Sequence, residues 1–250
     1  VAPTPVISFG VLAQRAGGAI IITASHNPPI WNGFKYKDEY GSSAPDDVTN
    51  PIVNFISRAL AGGKIGILAL DEALEQGLVE YIDLDRAYFD QINGLVGLNG
   101  LRQAGLKIVI DSMYGAGAGY LKGVLEGGTD ELIEINGERN PLFPGIQPEP
   151  IAVNLTKLSA TVKELGAIVG LATDGDADRM GIVDEKGTFV TQLQVFALLC
   201  LYMLEVRGER GPIVKTITGT SMTYRLGELF GVPVYETSVG FKYVAPVMRA

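Results

Sequence analysis

Residues Ile168–Gly187 read IVGLATDGDADRMGIVDEKG, a β-branched and aliphatic run, then a loop of alternating carboxylates, then a second apolar run. Ile168 to Ala172 leads straight into the turn-forming TDGDAD, so it reads as a strand delivering its last residues to a loop. The same grammar recurs along the chain. Ala19–Thr23 runs into ASHNPP, Lys107–Ile110 into DSMYGAGAG, and Ile213–Ile217 into TGTS. Continuous apolar runs bounded by turn residues predict strands buried on both faces of a parallel or mixed sheet. Helical periodicity falls between them, at Pro51–Leu60, Ile151–Leu165, Gln194–Val206 and Ser221–Phe230. Strand, loop and helix in alternation predict an α/β protein, with ligands gathered at the carboxyl ends of its strands.

The rest of the sequence bounds what such a protein does. Its 250 residues exceed one average domain, and 47% hydrophobic with 19% charged residues fits a compact fold rather than a disordered chain. We read roughly three units, 1–93, 94–188 and 189–250, jointed at the Gly-rich Ile92–Gly105 and near the turn at Lys186 and Gly187. A net charge of −8 without a basic stripe disfavours nucleic acid as a partner. The longest apolar stretch, Val195–Val206, is too short to span a bilayer and predicts a buried helix, so no membrane partner is expected. Cys200, the single cysteine, sits in that run and points to a reducing cytoplasm. The opening VAPTPVISFG has no basic n-region and does not read as a signal peptide. It reads as a chain entered midway, and the closing VAPVMRA as one cut short.

Asp174, Asp176 and Asp178 alternate with small residues, so three carboxylates converge from one short loop. Unpaired, they repel one another, and a dication is the natural compensation. An all-oxygen set suits Mg²⁺ before Zn²⁺. A loop that is simply solvated is the plainer alternative. An EF-hand matches at Asp174, Asp176, Asp178 and Glu185 but needs Gly where Arg179 stands, and its flanks read as strands. Arg179 instead offers a planar fork suited to phosphate.

In TASHNP, Thr23–Pro28, followed by NGFKYK, Asn32–Lys37, the hydroxyl of Ser25 lies on a strand-end loop with His26, Lys35 and Lys37 nearby. A serine needs such help to act as a nucleophile, although a turn or cap serine would look much the same. A Ser-His-Asp hydrolase fares badly. His26 is the only histidine, adjacent side chains usually diverge, and there is no G-x-S-x-G elbow. GAGAG, Gly115–Gly119, has Tyr120 where a dinucleotide fingerprint needs its third glycine, and reads as a tight strand-to-helix turn. SVGFKYV, Ser238–Val244, combines close backbone approach at Gly240, a flat face at Phe241 and a charge at Lys242. That set suits a sugar phosphate or a purely structural turn.

Taken in order, TASHNP, NGFK, DGDADR and GFKY resemble the α-D-phosphohexomutase family of phosphoglucomutases and phosphomannomutases over about Thr4 to Tyr243. The resemblance implies an incomplete phosphohexomutase-like fold of repeated three-layer α/β units with mixed sheets. It would hold the end of the family's first domain with the phosphoserine loop, all of the second with the metal loop, and the start of the third with the sugar loop. It implies that Ser25 carries the phosphoryl group, with His26 and Lys35 as acid, base or phosphate contacts. Asp174, Asp176 and Asp178 become magnesium ligands, with phosphorylated Ser25 as a further one. Asn27, Arg179, Gly240, Phe241 and Lys242 become substrate or phosphate contacts. Phe241-Lys242, where relatives acting on glucosamine phosphate tend to carry Asp-Arg, implies glucose or mannose phosphate. The expected activity interconverts hexose 1-phosphate and hexose 6-phosphate, primed by glucose 1,6-bisphosphate or a similar sugar bisphosphate. A magnesium-dependent phosphatase and a non-catalytic sugar-phosphate-binding fragment are the alternatives. Absent are the family's start of domain one with its Arg, its Glu-Glu-Ser glycan loop and its fourth-domain phosphate loop, so little turnover is expected of this chain alone.

Overall fold

The computed structural model describes residues 1–63 and 65–250. Among these residues nine strands form three sheets, and helices pack on both faces of the largest. That sheet joins β3 (Lys107–Asp111), β4 (Glu131–Ile135), β5 (Val169–Thr173), β6 (Met180–Asp184) and β7 (Phe189–Val190) in the order β4-β3-β5-β6-β7. β4, β3 and β5 are parallel, while β6 and β7 turn back as antiparallel hairpins, so the sheet is mixed. Alternation along β3 explains the layers. Val109 faces a core of Leu155, Leu158, Val162, Ala172 and Val183 under helix Thr156–Leu165. Ile108 and Ile110 face the opposite core with Leu98 and Leu125, under helices Asp85–Leu95, Leu98–Arg102 and Tyr120–Leu125. The fold is a three-layer α/β/α arrangement, α/β as the alternation predicts and three-layered as the resemblance implies.

Two parts differ from the sequence reading. Ahead of the central sheet, β1 (Ala19–Ile22) pairs antiparallel with β2 (Phe34–Lys37) alone. Only Ile21 of this strand is buried, and Ile20 and Ile22 are exposed. A strand is buried on both faces only when layers lie on both, and here helix Thr4–Ala13 packs against β1 on one side. After the central sheet, β8 (Ile213–Thr216) and β9 (Val234–Thr237) form a parallel pair over a small core of Leu204, Ile213, Leu226 and Val232. The apolar run before it is a helix, Gln192–Leu201, continued in wider turns over Tyr202–Val206 and started by a Thr191–Gln194 capping box. It is not the expected buried helix. Phe196, Cys200 and Leu201 pack on the core, but Leu198, Leu199 and Val206 are exposed, because only one side meets another layer. Among the described residues no helix is long and apolar enough to cross a membrane.

Around Ile92–Gly105 the chain forms helices Asp85–Leu95 and Leu98–Arg102, and Gly187 lies in the turn of the β6–β7 hairpin. GAGAG does lie in the turn from β3 to helix Tyr120–Leu125. Its close packing needs glycine: a Cβ at Gly115 would sit 2.7 Å from the Gly175 carbonyl oxygen, and one at Gly117 2.6 Å from Thr173 Oγ1.

Candidate active site

The Asp loop is the six-residue turn between β5 and β6, whose last ladder pair is Thr173 with Met180. Its shape comes from its own first carboxylate. Asp174 Oδ1 accepts the backbone N–H groups of Asp178 (2.9 Å) and Arg179 (3.1 Å), and Ala177 takes a left-handed φ of 57°. Asp174, Asp176 and Asp178 each present an oxygen within 4.8 Å of the others. Asp174 and Asp176 are buried; Asp178 lies nearer solvent.

The serine loop comes from the β1–β2 hairpin and is pressed onto that turn. Ser25 has φ 56°, and its N–H donates to Thr23 Oγ1 at 2.8 Å. Such a conformation is strained for a residue with a Cβ, and Ser25 is held in it by its neighbours. A Cβ on Gly175 would lie 2.5 Å from the Ser25 carbonyl oxygen, so glycine there lets the two loops touch. Three side chains of the first unit reach Asp176 Oδ2: Thr4 Oγ1 (2.9 Å), Thr23 Oγ1 (3.1 Å) and Lys35 Nζ (2.7 Å). Lys35 also donates to Asp178 Oδ2 at 2.7 Å, so one ammonium joins two carboxylates.

The electrostatics follow from this packing. Burial, then repulsion from Asp176 and Asp178, pushes the Asp174 carboxyl up to about 7. Burial opposes ionisation of Asp176 too, but Lys35, Thr4 and Thr23 outweigh it and hold that carboxyl below its ordinary value. For Lys35, burial is outweighed by the two carboxylates, which raise its pKa. A cation fits the loop. Asp174 Oδ2 and Asp176 Oδ1 are buried oxygens without a hydrogen-bond partner, and a carboxylate oxygen so placed needs a positive charge or a donor.

The expected site residues are only partly gathered. Ser25, Lys35, Asp178, Arg179 and Phe241 line one cleft of about 1010 Å³, to which helix Phe241–Arg249 also contributes Ala245, Met248 and Arg249. His26 and Ser25 do not diverge: the left-handed turn at Ser25 brings His26 Nδ1 to 3.4 Å from Ser25 Oγ, with His26 Nε2 3.9 Å from Glu149. Both distances are long for the hydrogen bonds of a catalytic triad. Asn27 is spent locally, its Nδ2 donating to the Ala24 carbonyl at 2.9 Å to close the turn. Gly240, φ 127°, stands at the start of the last helix, and Lys242 is held by Asp46 at 2.9 Å, outside the residues lining the cleft. The TGTS loop also lies apart from that lining. Sequence reasoning missed Thr4, Thr23 and Gly175. Thr4 lies 172 residues from its partner and carries no local signal, whereas Thr23 and Gly175 sit inside the two motifs themselves.

Comparison with known proteins agrees with this architecture. Residues 1–61, 86–187 and 192–250 match the alpha/beta/alpha domains I, II and III of phosphoglucomutase/phosphomannomutase, in that order. The chain is 32% identical over 247 residues to a phosphoglucomutase/phosphomannomutase of Thermococcus kodakarensis, covering 98% of this chain and 52% of the relative. It is 30% identical to a phosphoglucosamine mutase of Actinobacillus succinogenes, covering 99% and 53%. A phosphomannomutase-like crystal structure from Thermus thermophilus superposes with a TM-score of 0.85 at 38% identity, covering 96% of this chain and 53% of that one. The chain belongs to the phosphoglucomutase/phosphomannomutase family and spans about half the length of the curated relatives it matches.

Proposed function

We propose that the protein containing this chain is a hexose phosphate mutase in which Ser25 carries the phosphoryl group between the two ends of the sugar. The observation that carries this reading is the contact between loops: the Ser25 backbone rests on Gly175, between the buried Asp174 and Asp176. Phosphoryl transfer asks mainly for positioning and charge neutralisation, and this arrangement offers both. Asp174, Asp176 and Asp178 would hold Mg²⁺, with the phosphate on Ser25 as a further ligand. Bound there, the ion would draw charge from the transferring phosphoryl oxygens.

The remaining steps fall to the chain's own groups. In transfer from a sugar bisphosphate such as glucose 1,6-bisphosphate, the sugar–oxygen-to-phosphorus bond breaks and the Ser25 Oγ–phosphorus bond forms. The Ser25 proton passes, by way of His26 Nδ1 or Lys35 Nζ, to the departing sugar oxygen, which leaves as a hydroxyl. Arg179 and Phe241 line the path the sugar takes over Ser25. Glucose and mannose phosphates are the proposed substrates. A relative named phosphoglucosamine mutase makes glucosamine phosphate the competing sugar, so it belongs in the same assay.

The test is peptide mapping after incubation with a labelled sugar bisphosphate and Mg²⁺, on this chain and on its Ser25→Ala variant. Label is expected on Ser25 alone, and none in the variant; label elsewhere overturns the assignment. With hexose 1-phosphate, the longer protein should form hexose 6-phosphate. Release of free phosphate would mark a phosphatase, and binding without either product a non-catalytic sugar-phosphate site.

A further inference from the structure

Lys37 is a cation in the cleft that the reaction as described does not use. It lies two residues beyond Lys35 on β2, so the two side chains leave the same face of the strand. Both line the cleft, whereas Tyr36 between them turns its hydroxyl toward Gly18. Two neighbouring cations are spoken for: Lys35 is shared by Asp176 and Asp178, and Arg249 lies 3.6 Å from Asp38. Arg179 is held only loosely, its Nε 4.0 Å from Asp178, and stays open to a ligand. Among the described residues no carboxylate comes within 4.0 Å of the Lys37 ammonium, although the residue is only partly exposed. Burial, and then repulsion from Lys35, lowers its pKa despite the attraction of Asp178, Asp176 and Asp38, as expected for an ammonium with no carboxylate in contact.

We propose that Lys37, together with Arg179, seats the phosphate of a phosphate monoester that docks over Ser25. An anion there would take the place of the missing carboxylate, and its oxygens would accept from an ammonium already partly stripped of water. The proposal rests on the reading of the cleft as the sugar-phosphate site, and it adds the group that holds the ligand's charge.

Calorimetric titration of the 250-residue chain with inorganic phosphate, glucose 1-phosphate and neutral glucose tests it, using Lys37→Met, Lys37→Arg and the remote Lys122→Met. A charge-assisted hydrogen bond of the usual strength predicts that Lys37→Met weakens both phosphate ligands by about tenfold. Lys37→Arg should stay within about threefold of the parent, and Lys122→Met should bind unchanged. Equal binding by Lys37→Met and the parent overturns the proposal while leaving the mutase reading intact. Inorganic phosphate bound through Lys37, with no binding of glucose 1-phosphate, upholds the anion seat and overturns the substrate assignment. Binding of neither phosphate ligand by the parent overturns the anion seat, and the mutase reading is then decided by the labelling of Ser25. Should Lys37→Met fail to fold, the parent's Lys37 side-chain NMR signal decides: a shift on adding phosphate supports the seat, and no shift overturns it.

Discussion

In the five-stranded sheet Val109, Ile110, Ala172 and Val183 are fully buried, whereas in the β1–β2 hairpin Ile20 and Ile22 stand 66% and 69% exposed. Yet each region supplies half of the candidate site, the sheet its carboxylates and the hairpin its serine and lysines. The sheet can place its loop by packing alone, since helices cover both faces of β3. The hairpin cannot, having one buried strand residue and one covering helix. What positions Ser25 is therefore largely polar contact with the Asp loop itself: Thr4, Thr23 and Lys35 on Asp176, and the Ser25 backbone on Gly175. Stability and chemistry should then respond to different substitutions.

The largest effect should be on the sheet. Leu158 is fully buried against Val109 and Val162 in the central core, and truncation there removes contacts that the layers cannot easily close over. Leu158→Ala should cost about 2–5 kcal/mol in chemical denaturation. Ile22→Ala, at an exposed strand position, should stay within about 0.5 kcal/mol. Similar losses for both would mean the hairpin has a core as dense as the sheet's, and the contrast would collapse.

Next comes the join between the two regions. A methyl group at position 175 would meet the Ser25 carbonyl oxygen at 2.5 Å, with Phe143 and Pro148 at 3.4 and 3.5 Å closing off retreat. Gly175→Ala should push the serine loop away from the carboxylates. A displacement near 1 Å lowers labelling of Ser25 by a sugar bisphosphate on the order of 100-fold. The central sheet should keep its stability to within about 1 kcal/mol. Undiminished labelling would show that the loops need not touch.

The same contrast explains what could be read from the sequence. β3 and β5 of the central sheet announce themselves as unbroken apolar runs because both faces are covered, and the α/β class follows from them, whereas the edge strand β4, ELIEI, is half-exposed and carries no such run. In the hairpin the identical signal, Ile20-Ile21-Ile22, misleads: three consecutive apolar residues look doubly buried whether or not a second layer arrives. The acidic loop was legible because its three carboxylates are close in sequence. That Lys35 bridges two of them, and that Thr4 reaches the same turn, depend on separations of 141 and 172 residues that no local pattern encodes. Helix Phe241–Arg249 shows the reverse limit. Gly240 and Phe241 stand out locally as a turn followed by an aromatic, and Phe241 does line the cleft, but the pairing of Lys242 with Asp46 joins residues from opposite ends of the chain.

A smaller effect separates the carboxylates from one another. Asp174, pushed up to about 7 by burial and by its two acidic neighbours, holds a proton in the folded chain that the unfolded chain has already lost. Its contribution to stability therefore falls as pH rises from about 4 to 7, and levels off above that. A metal ion must displace this proton, so Mg²⁺ affinity should drop roughly tenfold between pH 8 and pH 6. Titration calorimetry at both values checks it, and Asp174→Asn should flatten the dependence. A pH-independent affinity in the parent would place the ion on Asp176 and Asp178 without Asp174.

The smallest effect is the most discriminating about how the hairpin is held. Thr4 Oγ1 is buried and donates to Asp176 Oδ2, and the Thr4 N–H donates to the Asp176 carbonyl at 2.9 Å. Thr4→Val keeps the shape and the backbone bond and removes only the hydroxyl. Because Lys35 and Thr23 still reach the same oxygen, no charge is left unpaired, and the cost should be that of one ordinary hydrogen bond, about 1 kcal/mol. Thr23→Val differs in kind. Thr23 Oγ1 both donates to Asp176 and accepts the N–H of Ser25, so its loss strands a donor in the strained turn as well as thinning the contact with the Asp loop. That variant should lose more stability than Thr4→Val by about 1 kcal/mol or more, and it should also slow labelling of Ser25, which Thr4→Val should leave within about threefold. Denaturation and bisphosphate labelling of both variants settle the order. If Thr4→Val proved the more damaging in either measurement, the Asp loop would be anchored by the first helix rather than by the serine loop, and the hairpin would owe its position to that helix instead of to the carboxylates it faces.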